Sequence, residues 1–325
     1  MRTNTAHDII VAAIALGVLL AFPLFINSPA FLDFTIRVAS TVLFATSLNL
    51  LVGGTGLVSF GHGLFYGFGA YCFALLMQQT DLALPLAAAI TLVASALVGL
   101  CVGAICIRLR QIYFAFATLA MQMLVYSIII AWSSLTGGDQ GLQGGIPRRA
   151  PFGFDLAHHT SLYAASVVTA IVGLLLMRHI AASPLGTSLR MIRDNEARAA
   201  FLGIEVWRAK LTVFVLAGVF ASMGGILAAL FVSGAYPEQA NWTISGDAIF
   251  AVMLGGISSF LGPLVGTVIL LALNDVVSRF TEYHGLALGC VILIVTLGFR
   301  RGVLDVIVAR IGRRRRPSPV LEPAQ

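Results

Sequence analysis

The sequence predicts an all-α, polytopic membrane protein with about ten transmembrane or half-membrane helices, each near the length needed to span hydrocarbon. Three observations predict this class. Apolar residues make up 58% of the 325-residue chain and charged residues only 10%. A soluble domain carries about a quarter charged residues to solvate its surface. Ile9–Ile26, Pro85–Ile107, Ile112–Trp132 and Leu211–Val232 contain no Asp, Glu, Lys or Arg. Open strands cannot replace helices in these runs, because backbone groups in lipid need partners within the segment. Finally, the basic residues gather between the runs and at the C-terminal end, as the cytoplasmic bias of Lys and Arg requires.

The first apolar run, Ile9–Ile26, is longer than a signal-peptide core, and Phe22–Asp33 offers no convincing small-residue cleavage site. It is taken as the first span. The second runs from about Phe31 to Val52, where Asp33 and Arg37 stand four apart and can neutralise each other. Spans three to seven follow as Leu57–Gln78, Pro85–Ile107, Ile112–Trp132, Ser161–Met177 and Leu211–Val232. Ala248–Val277 is too long for one ordinary span and is interrupted by Gly255, Gly256, Gly262 and Pro263. It therefore enters and returns, as two short spans or a re-entrant pair. Tyr283–Phe299 is the last apolar run, followed by the arginine-rich segment Arg300–Arg316.

With the N-terminus inside, only Arg37, Arg148, Arg149 and Arg279 of the twenty basic residues fall towards the outside. Both termini are then cytoplasmic, and the chain reads as a membrane domain over 1–299 with a basic tail at 300–325. The segment 178–210 is a cytoplasmic loop, and Ser133–Thr160 lies outside. This distribution explains the net charge of +6 without nucleic acid. Acidic lipid headgroups suffice as partner for Arg313–Arg316. Cys72, Cys101, Cys106 and Cys290 fall in apolar runs without CxxC pairing, so no disulfide or metal framework is expected. His158-His159 near Asp155 lacks a fuller ligand set.

The loop before Leu211 is the most informative segment. Ser183-Pro184 reads as an N-cap with a first-turn proline. A second short helix starts after Asp194, with Asp194 and Glu196 near its positive end. Ala197, Ala200, Phe201 and Ile204 form one apolar stripe, and Gly203 is placed to end the helix. The stripe fits either a groove on a partner protein or the lipid surface.

In the glycine-rich stretch Gly53–Ala70, small residues allow close helix packing, or else backbone and Asn49, Ser59 or His62 meet a solute. His62 is the one ionisable residue between Leu57 and Gln78 apart from the tyrosines and a cysteine. Intramembrane histidines face the bundle interior, where they line a path or bond a neighbouring helix. Asp247, at the outer mouth of the broken segment, has no i,i+4 partner. No nucleophile–base pair or metal-ligand set is evident, so an enzyme is not expected. An ATPase phosphate loop needs the lysine of GxxxxGK[ST], and the sole lysine, Lys210, stands in Ala209-Lys210-Leu211.

Several blocks together resemble the permease subunits of branched-chain amino acid ABC transporters. They are Asn49-Leu50-Leu51-Val52-Gly53, Gly56-Leu57-Val58-Ser59 with Gly61-His62, and Gly67-Phe68-Gly69-Ala70-Tyr71. Further along stand Arg108-Leu109-Arg110, Leu135-Thr136-Gly137-Gly138-Asp139, and Ser183-Pro184-Leu185-Gly186. Arg190-Met191-Ile192-Arg193-Asp194-Asn195-Glu196, Ala199-Ala200-Phe201-Leu202-Gly203-Ile204, Leu254-Gly255-Gly256 through Gly262-Pro263, and Phe299-Arg300-Arg301-Gly302 complete the set. The general EAA pattern of such permeases is approximate, because Arg198 separates Glu196-Ala197 from Ala199-Ala200. The resemblance implies an inner-membrane importer subunit for leucine, isoleucine, valine or a similar small solute. It also implies separate ATP-binding subunits, a second permease subunit and an extracytoplasmic solute-binding protein, with no cofactor. In that scheme Asp194, Glu196, Ala197, Ala200, Phe201, Gly203 and Ile204 form the ATPase-coupling element. The competing class is an ion-coupled secondary transporter or channel, which needs ionisable residues deep in the bundle.

Overall fold

The computed structural model describes residues 28–147, 158–280, 285–286, 289–290, 293 and 302. The expected first span Ile9–Ile26, Arg148-Arg149, Asp155, most of Tyr283–Phe299 and the arginine tail lie outside the described residues. Among the described residues every long element is α-helical. These are α1 (Pro29–Thr55), α2 (Gly63–Gln79), α3 (Leu84–Cys106), α4 (Gln111–Ala131), α5 (His159–Ala182), α6 (Pro184–Asp194), α7 (Glu196–Phe201), α8 (Val206–Val232), α9 (Trp242–Gly255) and α10 (Gly262–Phe280). Six of them, α1, α3, α4, α5, α8 and α10, are long and apolar enough to cross a membrane. Shorter apolar helices accompany them, and the chain is an all-α polytopic membrane protein.

By its internal packing the chain divides into two units, Met1–Ile249 and Phe250–Gln325. In the first, α1 and α8 form the centre, with 72% of the most apolar stretch of each buried, against 28% in α3 and α4. An evenly apolar helix needs no amphipathic stripe when protein and lipid tails are equally apolar neighbours, so close fit decides which helices sit inside. Gly224 and Gly225 of α8 supply that fit. A Cβ at Gly225 would strike the Tyr66 carbonyl, and one at Gly224 would lie 2.7 Å from the Ser40 carbonyl. Hydroxyls satisfy one another across the same crossings. Ser222 donates to the Phe65 carbonyl at 2.8 Å and meets Ser95 at 2.5 Å.

One expectation is corrected here. Leu57–Gln78 is not a continuous helix, since α1 runs on to Thr55 and α2 begins only at Gly63. Gly56 adopts the left-handed conformation (φ 76°), and its N–H caps α1 through the Val52 carbonyl at 2.9 Å. The following stretch then packs backbone to backbone, because a Cβ at Gly61 would collide with the Thr118 carbonyl of α4. The resulting α2 has 17 residues, shorter than a full hydrocarbon span.

In the second unit the expected interruption of Ala248–Val277 is present. Gly256 has φ 114°, the helical path stops after Gly255, and α10 starts at Gly262. Gly255, Gly262 and Gly266 allow the two arms to meet, since a Cβ at Gly266 would strike the Ala251 carbonyl.

In the loop after α4, the Leu142 N–H donates to the Ala235 carbonyl at 2.8 Å, and Gln78 reaches the Gly145 carbonyl at 3.1 Å. Asp33, read from spacing as a partner of Arg37, has the His159 imidazole at 3.3 Å.

Candidate functional site

Two groups of residues carry the candidate chemistry, one around the break between α1 and α2, the other on the polar hairpin α6–α7.

At the break, Asn49, Ser59 and His62 are all buried, at 7%, 1% and 0% exposure. Polar atoms sealed from water cost several kcal/mol unless paired. Nevertheless Asn49 Oδ1, Ser59 Oγ and His62 Nδ1 have no hydrogen-bond partner among the described residues, nor does Thr46 Oγ1. His62 is held from its other nitrogen, with Nε2 2.8 Å from Ser47 Oγ, while Phe44 stacks on the ring at 5.5 Å. The Ser47 hydroxyl donates to the Phe44 carbonyl at 2.7 Å. Its single proton is thereby used, so it accepts from His62 and the imidazole carries its hydrogen on Nε2. Nδ1 is left as a bare acceptor, of the same kind as Asn49 Oδ1. The fourth expected residue, Asp247, is exposed on α9.

Sequence reading missed Ser47, and it missed a second polar knot beside the break. The Gly63 N–H donates to Ser245 Oγ at 2.7 Å, and Ser245 donates to Gln122 Oε1 at 2.8 Å. Gln122 Nε2 reaches the Ala240 and Asn241 carbonyls at 3.1 and 2.8 Å. The first turn of α2 is thus fixed by α4 and α9 rather than by its own cap.

On the hairpin, Ser183 caps α6, and Asn195 caps α7 by accepting from the Arg198 N–H at 2.9 Å. Asp194 is the last residue of α6, and the next helix starts after it, as the sequence suggests. Gly203 (φ 85°) follows the end of α7. Arg190 donates to the Ala181 carbonyl at 2.9 Å, and Arg193 to the Gly53 carbonyl at 2.7 Å. Both arginines satisfy carbonyls in the last turns of long helices, where positive charge is favoured. Lys210, one turn into α8, bonds Glu196 Oε2 at 2.8 Å. The hairpin is in this way fastened to α5, α1 and α8.

Ala197, Ala200 and Phe201 of the expected stripe are exposed and Ile204 is half-buried, while Ala199 faces inward. Phe201 is 92% exposed and Leu202 69%. A cavity of about 410 Å³ lies beside them, lined by Met191, Asp194, Asn195, Arg198, Ala199 and Leu202. Among the described residues no cluster of His, Cys, Asp and Glu suits a metal ion.

Comparison with known proteins decides the family. The model described as "Branched-chain amino acid transport system / permease component" matches residues 30–296, which take in both the break and the hairpin. The chain belongs to this permease family. The high-affinity branched-chain amino acid transport system permease protein LivM of Salmonella typhimurium is 28% identical over 318 residues, covering 90% of this chain and 73% of LivM. LivM of Escherichia coli is 27% identical over 320 residues, covering 91% and 74%. The ribose import permease protein RbsC of Escherichia coli is 28% identical over 287 residues, covering 83% and 87%. As a family member the chain is a permease component of a transport system, in keeping with its membrane helices.

Proposed function

We propose that this chain is the membrane-spanning subunit of an ATP-driven importer that passes branched-chain amino acids, or similar small solutes, inward across the cell's inner membrane. ATP is hydrolysed on separate ATP-binding subunits. A second permease subunit completes the passage, and an extracytoplasmic solute-binding protein delivers the solute. Both termini and the 178–210 loop are cytoplasmic.

The observation that carries this reading is the construction of the polar hairpin. Its tip presents Ala197, Ala200, Phe201 and Leu202 outward, while its root is hydrogen-bonded to the ends of α1, α5 and α8. An exposed apolar tip on a short helix suits a partner groove. A root tied to three long helices transmits displacement of that tip into the bundle. Helices rotate or shift as bodies far more readily than they stretch, so the stroke reaches the α1–α2 break. There Asn49, Ser59 and His62 offer polar atoms without partners among the described residues, and His62 Nδ1 and Asn49 Oδ1 accept. Acceptors in an apolar wall suit an ammonium group flanked by an aliphatic side chain. Asp247 stands at the mouth of the path.

The test is the complete transporter in proteoliposomes. Ala200→Glu places a charge on the tip, so ATP hydrolysis is expected to lose its stimulation by solute and uptake to fall to background, with membrane insertion unchanged. Normal uptake by this variant excludes a docked tip. Uptake by this chain alone, driven by an ion gradient, establishes the secondary-transporter reading instead. Leucine, isoleucine and valine are the solutes expected to stimulate hydrolysis.

A further inference from the structure

We infer that Lys210 and Glu196 form a strut that fixes the angle of α7 on the foot of α8, acting as positioning residues that set how much of each ATP-driven stroke reaches the bundle. The inference rests on the importer reading and adds the route by which force enters α8.

The two arginine ties of the hairpin both belong to α6. Arg190 secures it to α5 and Arg193 to α1. Helix α7, which carries the exposed tip, is separated from α6 by Asn195, whose extended backbone (φ −161°, ψ 105°) turns the chain sharply. A six-residue helix beyond such a corner has little internal stiffness, since few hydrogen bonds close within it. Ala199, 1% exposed, seats one side of α7. A methyl group resists pushing inward but not sliding. The bond from Lys210 Nζ to Glu196 Oε2, at 2.8 Å, supplies the missing constraint, because it joins the first residue of α7 to the first turns of α8.

Burial makes this pair directional. The Lys210 side chain is 9% exposed and that of Glu196 53%. The ammonium sits in a near-dry setting at the end of a membrane helix, where losing its partner is costly. The carboxylate is half in water, and a glutamine amide in its place still offers the ammonium an oxygen acceptor, so Glu196→Gln weakens the tie without leaving Lys210 bare. Such a pair orders two elements relative to each other without being needed to hold the fold together. Of the twenty Lys and Arg residues in the 325-residue sequence nineteen are arginines, and the one lysine stands here. A lysine carries a compact point charge on a flexible stem, where an arginine would present a planar guanidinium.

The experiment uses the assembled transporter in proteoliposomes and reads solute molecules taken up per ATP hydrolysed. Glu196→Gln and Lys210→Met are each expected to lower that ratio about fivefold or more, the lower range of energetic coupling between sites. Hydrolysis and assembly with the ATP-binding subunits are measured alongside the ratio. The charge-exchanged double variant, Glu196→Lys with Lys210→Glu, is expected to recover most of the ratio, which a purely structural role would not give. A wild-type ratio in Glu196→Gln, whose half-exposed position leaves folding intact, overturns the strut. So does a double variant that assembles but is no better coupled than the singles. If Ala200→Glu uncouples while Glu196→Gln does not, the importer reading stands and the strut alone falls. If neither uncouples, the importer reading falls with it.

Discussion

Substituting Gly225 by alanine tests how the bundle centre is built. Gly225 lies on α8 where that helix crosses α2, and a Cβ there would collide with the Tyr66 carbonyl oxygen, with the Ala70 nitrogen 3.1 Å away. Both obstructing atoms are backbone, so no rotamer change can make room. The helices must separate, and separation disturbs neighbouring contacts, including those of Gly224 with Ser40 and of Gly69 with Ser222. Over-packing of this kind costs about 1–3 kcal/mol, and the upper half of that range is expected because two rigid helices move. Equilibrium unfolding of the purified protein in mixed detergent measures it. Gly246→Ala is the matched control. Gly246 lies inside α9 with nothing within 4 Å of an added Cβ, so the same change is expected to be neutral or to stabilise by up to about 1 kcal/mol through helix propensity. Equal unfolding free energies for the two variants refute the backbone-contact argument, whatever their absolute values.

Further outcomes follow from the same geometry. Ser47→Ala removes the partner of His62 Nε2 and leaves a buried N–H unpaired, a loss of about 1–3 kcal/mol in the same unfolding measurement. Asn49→Leu removes a buried carbonyl oxygen that has no partner among the described residues. Stability is expected to hold or rise while the KM for uptake increases at least about tenfold, the worth of one charged hydrogen bond to solute; unchanged kinetics remove Asn49 from the path. Asn195→Ala deletes the cap of α7, costs about 1 kcal/mol locally, and is expected to speed amide exchange at Ala199 and Ala200 relative to α6.

How much of this was legible in the sequence depended on what signal each feature leaves there. Helices α3, α4 and α8 follow from uncharged runs of spanning length, because hydrocarbon imposes composition directly. The interruption after Gly255 was legible because glycines and Pro263 cluster at it. The gap between α1 and α2 was not. Gly56–His62 is as apolar and glycine-rich as its flanks, so hydropathy passes over it, and the decisive contact of Gly61 with Thr118 is tertiary. On the hairpin the caps were readable nearly to the residue, and the stripe, read as a face for a partner groove or for lipid, is exposed at Ala197, Ala200 and Phe201, while the residue seated on the bundle was not singled out. In a helix of six residues the turn at Gly203 reorients the chain before a 3.6-residue period is established, and Ala199 became the seated residue. Candidate residues Asn49, Ser59 and His62 were found because polar side chains stand out in apolar spans. Ser47 was passed over because a helical serine ordinarily bonds its own preceding carbonyl. It does so here and supports His62 as well. The knot of Gln122 and Ser245 joins positions 123 apart, a relation no local pattern records.

The segment leaving Gly56 alternates along its length. Leu57 and Ser59 point inward at 6% and 1% exposure, while Val58 and Phe60 point outward at 36% and 38%. Ribbon-like backbone of this sort can trade which side chains it shows to each surface by turning a few torsions, with no ladder of helical bonds to dismantle first. A passage walled at that level could change its lining at small energetic cost while the columns on either side stay whole.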